Sequence, residues 1–291
     1  MLTETALEPA RSPHMAAAKV RMVRRITFSS GHRYWLTSLT PEENRNLFGR
    51  WASPYNHGHN YVLWFEVEGV VDPAHGMVVN IKDIDELLKE DVKSHLDQHS
   101  INDEVEAFRD RSPSLENLIG YIRSQMTRLP AEVRLTGIRL DETETLYGEW
   151  RPEMPENQVT LTRIYEFAAS HRLHADGLDQ ARNVELFGKC NNPHGHGHNY
   201  VLEVTVAGEP HPVTGMIVDI ESLDRTVHAE VVDRYDHKNL NLDVPEFAEL
   251  NPTSEVVAQQ IFLRLQTTVP AKLHRVRLHE TARNIFEVNA D

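Results

Sequence analysis

The chain has 291 residues, 40% of them hydrophobic, and its 44 acidic and 30 basic side chains give a formal net charge of −14. This acidic balance disfavours nonspecific binding to nucleic acid or to an anionic membrane, because both require a basic surface. No apolar run reaches the roughly 18 residues of a membrane-spanning helix, so we expect no transmembrane segment. A few local Lys and Arg residues could still bind an anionic small molecule.

Residues 1–20 are mixed and rich in Ala and Pro, without the apolar centre of a signal peptide. We expect them to form a disordered tail. The only cysteine, Cys190, cannot form an intrachain disulfide. Without a signal peptide, the reducing cytoplasm is the expected compartment.

The rest of the chain is a tandem duplication. The heptapeptide from His57 to Leu63 recurs unchanged from His196 to Leu202, 139 residues later. Each copy of about 125 residues is long enough for its own core.

The repeat sets the domain boundaries. We predict a first copy at 21–150 and a second copy at 159–291. The polar join runs from Gly148 to Gln158, and we assign residues 151–158 to an interdomain linker.

Hydrophobic patterns predict the same series of elements in each copy. Those of the second copy are strands at 163–170 and 198–206, helices that begin after Asp219 and near 252–255, and strands at 275–280 and 284–288. This β-β-α-α-β-β order predicts an α+β fold, in which two helices cover one face of an antiparallel sheet.

The histidines of the repeat predict two metal sites. His196 and His198 project from the same face of a strand, because alternate residues share a face, and His171 can supply a third nitrogen. Three histidines with one open position are typical of catalytic zinc. A surface or hydrogen-bonding pair is the alternative, but the first copy keeps all three positions. They are His32, His57 and His59.

Cys190 lies in a polar loop beside Lys189 and six residues before His196. The lysine and a nearby dication would both favour the thiolate. That thiolate could act as a general base, a nucleophile or a fourth zinc ligand, and the residues alone do not choose. The first copy has Trp51 at this position.

Asp236 and His237 form a second candidate for proton transfer, since an adjacent carboxylate can orient and tune an imidazole. In the first copy the aligned residues are Asp97 and Gln98. A glutamine cannot exchange a proton at neutral pH, so the first copy lacks both proton-transfer groups.

Glu280 lies on an otherwise apolar strand face, and Glu142 keeps this feature in the first copy. A carboxylate there needs a partner. A planar ring with two N–H donors would suit it, and exposure to water at a strand end is the alternative.

Together these residues resemble the 6-pyruvoyltetrahydropterin synthase family, which has the tunnelling fold. The likeness rests on Cys190, a five-residue gap and the following His-Gly-His-Asn-Tyr, and it covers 160–288, with a decayed version at 22–148. The related 6-carboxytetrahydropterin synthases usually have a shorter gap.

The resemblance implies a role for each residue. It implies zinc at His171, His196 and His198, with Cys190 as general base. Asp236 and His237 complete a triad, and Glu280 anchors the pterin. The implied reaction converts 7,8-dihydroneopterin triphosphate into 6-pyruvoyltetrahydropterin and triphosphate. We expect the first copy to keep zinc without turnover.

The resemblance also implies an assembly. Family members form rings of three domains stacked in pairs, which close the sheets into barrels, so we expect a trimer of tandem chains with six domains. The Asp-His pair comes from a neighbouring subunit, so a ring of alternating copies would put Gln98 into an active site. We therefore favour rings made only of the second copy.

Other functions stay open. A carboxytetrahydropterin synthase or another pterin side-chain lyase could use the same residues. A noncatalytic zinc- and pterin-binding scaffold is a second alternative. A zinc hydrolase is possible for a three-histidine site but leaves Cys190 and Glu280 unexplained.

Overall fold

The computed structural model describes residues 18–290. Most of the expected tail, residues 1–17, lies outside this range, but Lys19 and Val20 already belong to the first strand. The predicted tail boundary was therefore too late, because the alternating pattern of that strand begins before Met22. No helix within 18–290 is long and apolar enough to cross a bilayer.

The elements are as follows. The strands are β1 (Lys19–His32), β2 (His57–Val70), β3 (Val133–Thr143), β4 (Leu146–Trp150), β5 (Val159–His171), β6 (His196–Gly208), β7 (Lys238–Asn239), β8 (Lys272–Thr281) and β9 (Asn284–Asn289). The helices are α1 (Pro41–Phe48), α2 (Ile81–Leu88), α3 (Ser94–Leu96), α4 (Ile101–Glu104), α5 (Leu115–Gln125), α6 (Gln180–Phe187), α7 (Ile220–Val227), α8 (Asp233–Tyr235), α9 (Leu240–Asp243) and α10 (Ser254–Thr268).

The predicted order of strands and long helices is confirmed in both copies. Asp219 caps α7 by accepting a hydrogen bond from the backbone N–H of Ser222, and Thr253 caps α10 in the same way through Val256. The strands are longer than predicted because the backbone pairing of β5 with β6 runs without interruption from Val159 to His171. The short helices, such as α1 and α6, were not predicted.

The two copies share one continuous antiparallel sheet. Its order is β1-β2-β3-β4-β5-β6-β8-β9, and the short β7 pairs with β5. The copies meet where β4 pairs with β5, from Leu146 opposite Arg163 to Glu149 opposite Thr160. Buried hydrophobic residues from both copies form one large core cluster.

This junction corrects two expectations. Gly148 to Trp150 are not part of a polar join, because they form the end of β4, and only 151–158 lie between β4 and β5. A ring made only of second copies is also wrong for this chain, since both copies are neighbours in the same sheet. A family barrel built on this pairing has to contain both copies.

Helix α5 of the first copy also contacts the second copy. Ser114 Oγ donates to the backbone carbonyl of Gly215 at 2.7 Å, and the N–H of Ile217 donates to Glu116 Oε1 at 2.9 Å. Burial raises the pKa of the Glu116 carboxyl. The backbone of 215–217 is therefore held by polar groups buried between the copies.

Gly148 lets α5 pack closely on β4. A Cβ at this position would lie 2.7 Å from Ile119 Cδ1 and 3.3 Å from the Thr160 carbonyl. We predict that Gly148→Ala lowers the free energy of unfolding by roughly 1–3 kcal/mol through overpacking. Urea titration followed by circular dichroism measures this.

Gly120 is the matched control. Gly120 lies in α5, the helix that packs on Gly148, and a Cβ there would meet nothing within 4 Å. Gly120→Ala should raise the free energy of unfolding by about 0.5–1 kcal/mol, because Ala favours helix. Equal losses in the two variants would contradict the proposed packing at Gly148.

Candidate functional site

Strand pairing assembles the three histidines of the second copy. His171 ends β5 and lies opposite His196, while His198 lies opposite Ala169, two residues further along β6. Their ligand-capable nitrogens all lie within 4.8 Å of one another. The expected convergence of these side chains is therefore present.

The hydrogen bonds around these rings leave nitrogens free for a cation. His171 Nδ1 lies 2.7 Å from the Pro252 carbonyl and donates to it, which turns Nε2 towards the cluster. That Nε2 is 3.3 Å from His196 Nε2. The buried Nε2 of His198 has no hydrogen-bond partner among residues 18–290. A divalent ion fits this set, with His171 oriented by its carbonyl partner.

The first copy forms the same cluster from His32, His57 and His59, again within 4.8 Å. Burial, then the neighbouring His57 and His59, lowers the pKa of His32 to about 3. Burial, then His57, lowers the pKa of His59 to about 4. Both imidazoles are neutral at pH 7, which is the form that binds a metal.

Glu280 lies beside the second cluster, with Oε1 3.7 Å from His198 Nε2 and 3.9 Å from His171 Nε2. Ser254 Oγ donates to Oε1 at 2.6 Å and Asn284 Nδ2 donates to Oε2 at 2.9 Å. Burial alone would raise the pKa of this carboxyl, but these hydrogen bonds and the neighbouring His198 and His171 together lower it. Glu280 is therefore held as an oriented carboxylate.

Glu142 occupies the corresponding place in the first copy, 3.6 Å from His59, but it has lost this support. The residues that align with Ser254 and Asn284 are Leu115 and Leu146, and Glu142 Oε2 has no partner in the described structure. Burial, then the charge of Glu116, raises the Glu142 pKa to about 7.

Ser254 and Asn284 were missed by the sequence reasoning. Each is an ordinary helix-start or strand-start residue by itself. The sequence feature that could have identified them is that leucine replaces each of them in the first copy.

Cys190 is half-buried in a tight turn at Gly188–Asn191, which directly follows α6. Its backbone carbonyl accepts a hydrogen bond from Leu173 at 2.9 Å, which ties the turn to the end of β5. The thiol is not among the ligand atoms that lie within 4.8 Å of one another. This geometry does not support a fourth zinc ligand and leaves Cys190 free for proton transfer.

Asp236 and His237 lie at the edge of β5. Asp236 accepts from the Ala168 N–H and from His237 Nδ1, both at 2.7 Å, and these bonds lower its pKa. Because β6 covers the other edge of β5 along its whole length, the pair lies on the same edge as β4. The His237 side chain is largely exposed.

A cavity of about 590 Å³ lies between the copies, beside the first histidine cluster. The first copy contributes His57, His59, Glu142 and Trp51. The second copy contributes Arg163, Met216 and Ile220. Trp51, which aligns with Cys190, thus lines a pocket whose opposite wall is formed by the second copy.

Comparison with known proteins agrees with this arrangement. The family model described as 6-pyruvoyl tetrahydropterin synthase matches residues 21–153 and again 160–291. The chain belongs to the 6-pyruvoyl tetrahydropterin synthase family. Both copies are members, which accounts for the repeated fold.

Individual relatives match about one copy. The 6-pyruvoyl tetrahydrobiopterin synthase of Homo sapiens is 45% identical over 129 residues, which are 44% of this chain and 89% of the relative. The Drosophila melanogaster enzyme is 47% identical over 128 residues, 43% of this chain and 76% of the relative. The structure of Caenorhabditis elegans 6-pyruvoyl tetrahydropterin synthase matches with 42% identity and a TM-score of 0.45, covering 47% of this chain and 98% of that one.

The two histidine clusters predict two bound zinc ions per chain. His196→Ala and His57→Ala should each reduce the content to one ion, and the double variant to none. Elemental analysis of the dialysed protein measures this. Chelation should lower the unfolding free energy by about 3 kcal/mol per site at free zinc a hundredfold above Kd. One ion in wild type, lost only with His196→Ala, would contradict a metal site in the first copy.

Proposed function

We propose that the chain is a zinc-dependent 6-pyruvoyltetrahydropterin synthase that acts on 7,8-dihydroneopterin triphosphate and releases triphosphate. The observation that carries the proposal is the second copy, where the histidine cluster, the free Cys190 thiol and the supported carboxylate of Glu280 occur together. The 45% identity to synthases of this name supports the same reaction.

His171, His196 and His198 would hold the zinc ion, and three imidazoles leave a coordination position open for substrate oxygen. When bound, zinc would supply Lewis-acid polarisation of the side-chain oxygens and so acidify the adjacent C–H. The hydrogen bond from His171 to Pro252 fixes one ligand ring before the ion arrives.

Glu280 would bind the pterin ring. An ionised carboxylate accepts two parallel N–H bonds, and Ser254 and Asn284 keep its two oxygens oriented and charged. The ring orientation then presents the triphosphate side chain to the metal and to Cys190. Burial raises the pKa of Glu142 to about 7, and this carboxyl lacks the orienting donors.

Cys190 would remove a proton from the substrate side chain as a general base, in a loop that also carries Lys189. Loss of triphosphate completes the elimination. The dihydropterin ring gains the hydrogens that the side chain loses, so no external reductant is needed.

Asp236 and His237 are the proposed second proton-transfer pair. Asp236 accepts from His237 Nδ1 and so leaves Nε2 to exchange a proton. This pair lies on the edge of β5 that β4 joins. The first copy has Trp51 in place of the cysteine. We propose that the first copy binds zinc and does not turn over.

The cytoplasm is the proposed compartment, because Cys190 must stay a free thiol and reducing conditions protect it. The proposed assembly is a homo-oligomer, and family membership supports it.

The first experiment is mass spectrometry of the products after incubation of the zinc-loaded protein with 7,8-dihydroneopterin triphosphate. We expect 6-pyruvoyltetrahydropterin and triphosphate. Cys190→Ala should lower kcat at least about a hundredfold, since a proton-transfer group contributes that much, while its zinc content stays unchanged.

The other outcomes separate the alternatives. A carboxypterin with acetaldehyde would assign the chain to the carboxytetrahydropterin synthases. Bound zinc and pterin without turnover would favour a scaffold. Full activity of Cys190→Ala would remove Cys190 from the mechanism.

A further inference from the structure

We propose that the second copy has a binding site for a small organic monocarboxylate, separate from the histidine cluster, in which the guanidinium of Arg172 binds the carboxylate. The first copy supplies the model for this contact, because there the equivalent guanidinium is bound by a carboxylate of the chain itself. The site does not depend on the proposed function.

In the first copy, Arg33 belongs to a closed set of hydrogen bonds. Its Nη1 and Nη2 donate to the two carboxylate oxygens of Asp103 at 2.7 and 2.6 Å, which makes a bidentate pair. Asn56 accepts from Arg33 Nη1 at 2.9 Å, and Ser100 donates to Asp103 at 2.6 Å. Asn56 also donates to Ser100 at 2.7 Å. This guanidinium therefore has its counter-ion within the chain.

The second copy has the arginine without these three partners. At the offset of 139 residues between the copies, Arg172 aligns with Arg33. The positions of the asparagine, the serine and the aspartate hold, in that order, Gly195, Asn239 and Leu242. The carboxylate is thus replaced by an aliphatic side chain.

Arg172 is half-buried and has no counter-ion. Its Nε donates to the Asn191 carbonyl at 3.4 Å, and its Nη2 lies 3.3 Å from His174 Nδ1. In contrast to Arg33, it forms no ion pair with a carboxylate among residues 18–290. A guanidinium that has lost part of its hydration without gaining a counter-ion favours an anion from outside the chain.

A cavity of about 660 Å³ lies beside Arg172. It is lined by all three of the replacing residues, Gly195, Asn239 and Leu242. Its volume is that of an ordinary small-molecule site, which occupies roughly 300–1,000 Å³. Pro193 also lines it, so an occupant would contact the segment between Cys190 and His196.

The rest of the cavity favours a ligand with a single negative charge and an apolar group. The exposed carboxylates of Asp176 and Glu249 line the cavity, and they would repel a second negative charge. Leu242 is 83% exposed and Leu250 is 40% exposed, and Phe247 extends this apolar wall. A monocarboxylate with an aliphatic group therefore fits better than a polyanion such as a triphosphate.

This cavity is distinct from the candidate metal site. Arg172 directly follows His171, but its side chain reaches the Asn191 carbonyl instead of the histidine nitrogens. None of the three histidines of the second cluster lines the cavity.

Binding of isovalerate, measured by saturation-transfer NMR on the ligand, tests the proposed chemistry. We expect the zinc-loaded protein to bind isovalerate. It should bind the uncharged analogue isovaleramide at least about tenfold more weakly, because the amide cannot form a charge-assisted bidentate pair. No binding of isovalerate, or equal binding of the acid and the amide, would overturn the proposal.

Leu242→Asp tests the location. It restores the carboxylate that the first copy has beside its arginine, so it should weaken isovalerate binding at least about tenfold. Leu242→Asn is the matched control, of the same size without the charge, and its Kd should stay within about threefold of wild type. Because Leu242 is 83% exposed, both variants should fold, and circular dichroism checks this.

Two outcomes of this comparison would contradict the site. An unchanged Kd in Leu242→Asp would show that isovalerate binds elsewhere, for example at the zinc ion. Equal weakening in both variants would show that the added charge is not the cause.

Tripolyphosphate identifies the class of anion. At the same concentration as isovalerate, it should leave the probe bound. Its displacement of the probe from wild type would overturn the assignment to a monocarboxylate.

These measurements involve no turnover. A protein that binds isovalerate in this way but makes no product would lose the proposed function and keep this site. An active protein that fails the binding tests would keep the function and lose the site.

Discussion

Backbone pairing between β4 and β5 is the constraint on which the rest of the molecule depends. It joins two duplicated domains into one sheet and brings the wall of one copy over the metal site of the other. It also buries Ser114 and Glu116 at the contact with the second copy. A pocket lined by both copies thereby forms within one chain.

The two sites show how a duplicated centre diverges. Both copies contain the three histidines. A cluster of neutral, buried imidazoles costs free energy unless a cation or hydrogen bonds satisfy it. The residues around the glutamate carboxyl differ between the two copies. Glu280 keeps a serine and an asparagine as donors, whereas Glu142 has leucines in their place and a pKa raised to about 7. The first copy thus has the three histidines, but its glutamate lacks the two hydrogen-bond donors that Glu280 has.

The strained backbone at Gln98 fits the same history. A left-handed φ costs a non-glycine residue about 1 kcal/mol or more, yet both Gln98 and His237 have it. The preceding aspartates fix this turn by accepting a strand N–H in each copy. The turn therefore has the same backbone form in both copies, with glutamine in one and histidine in the other.

The sequence by itself determined the repeat, the order of the elements, the helix cap at Asp219, and the two sets of three histidines. These are local features, set by hydrophobic period, capping chemistry and identical spacing.

Only the tertiary structure decided which strand edges meet, on which side His237 lies, and that Ser254 and Asn284 support Glu280. These depend on pairing between strands that are far apart in sequence. Two duplicated copies offer nearly equivalent edges, so the residue pattern could not choose between them, and a sheet shared by both copies was missed for that reason.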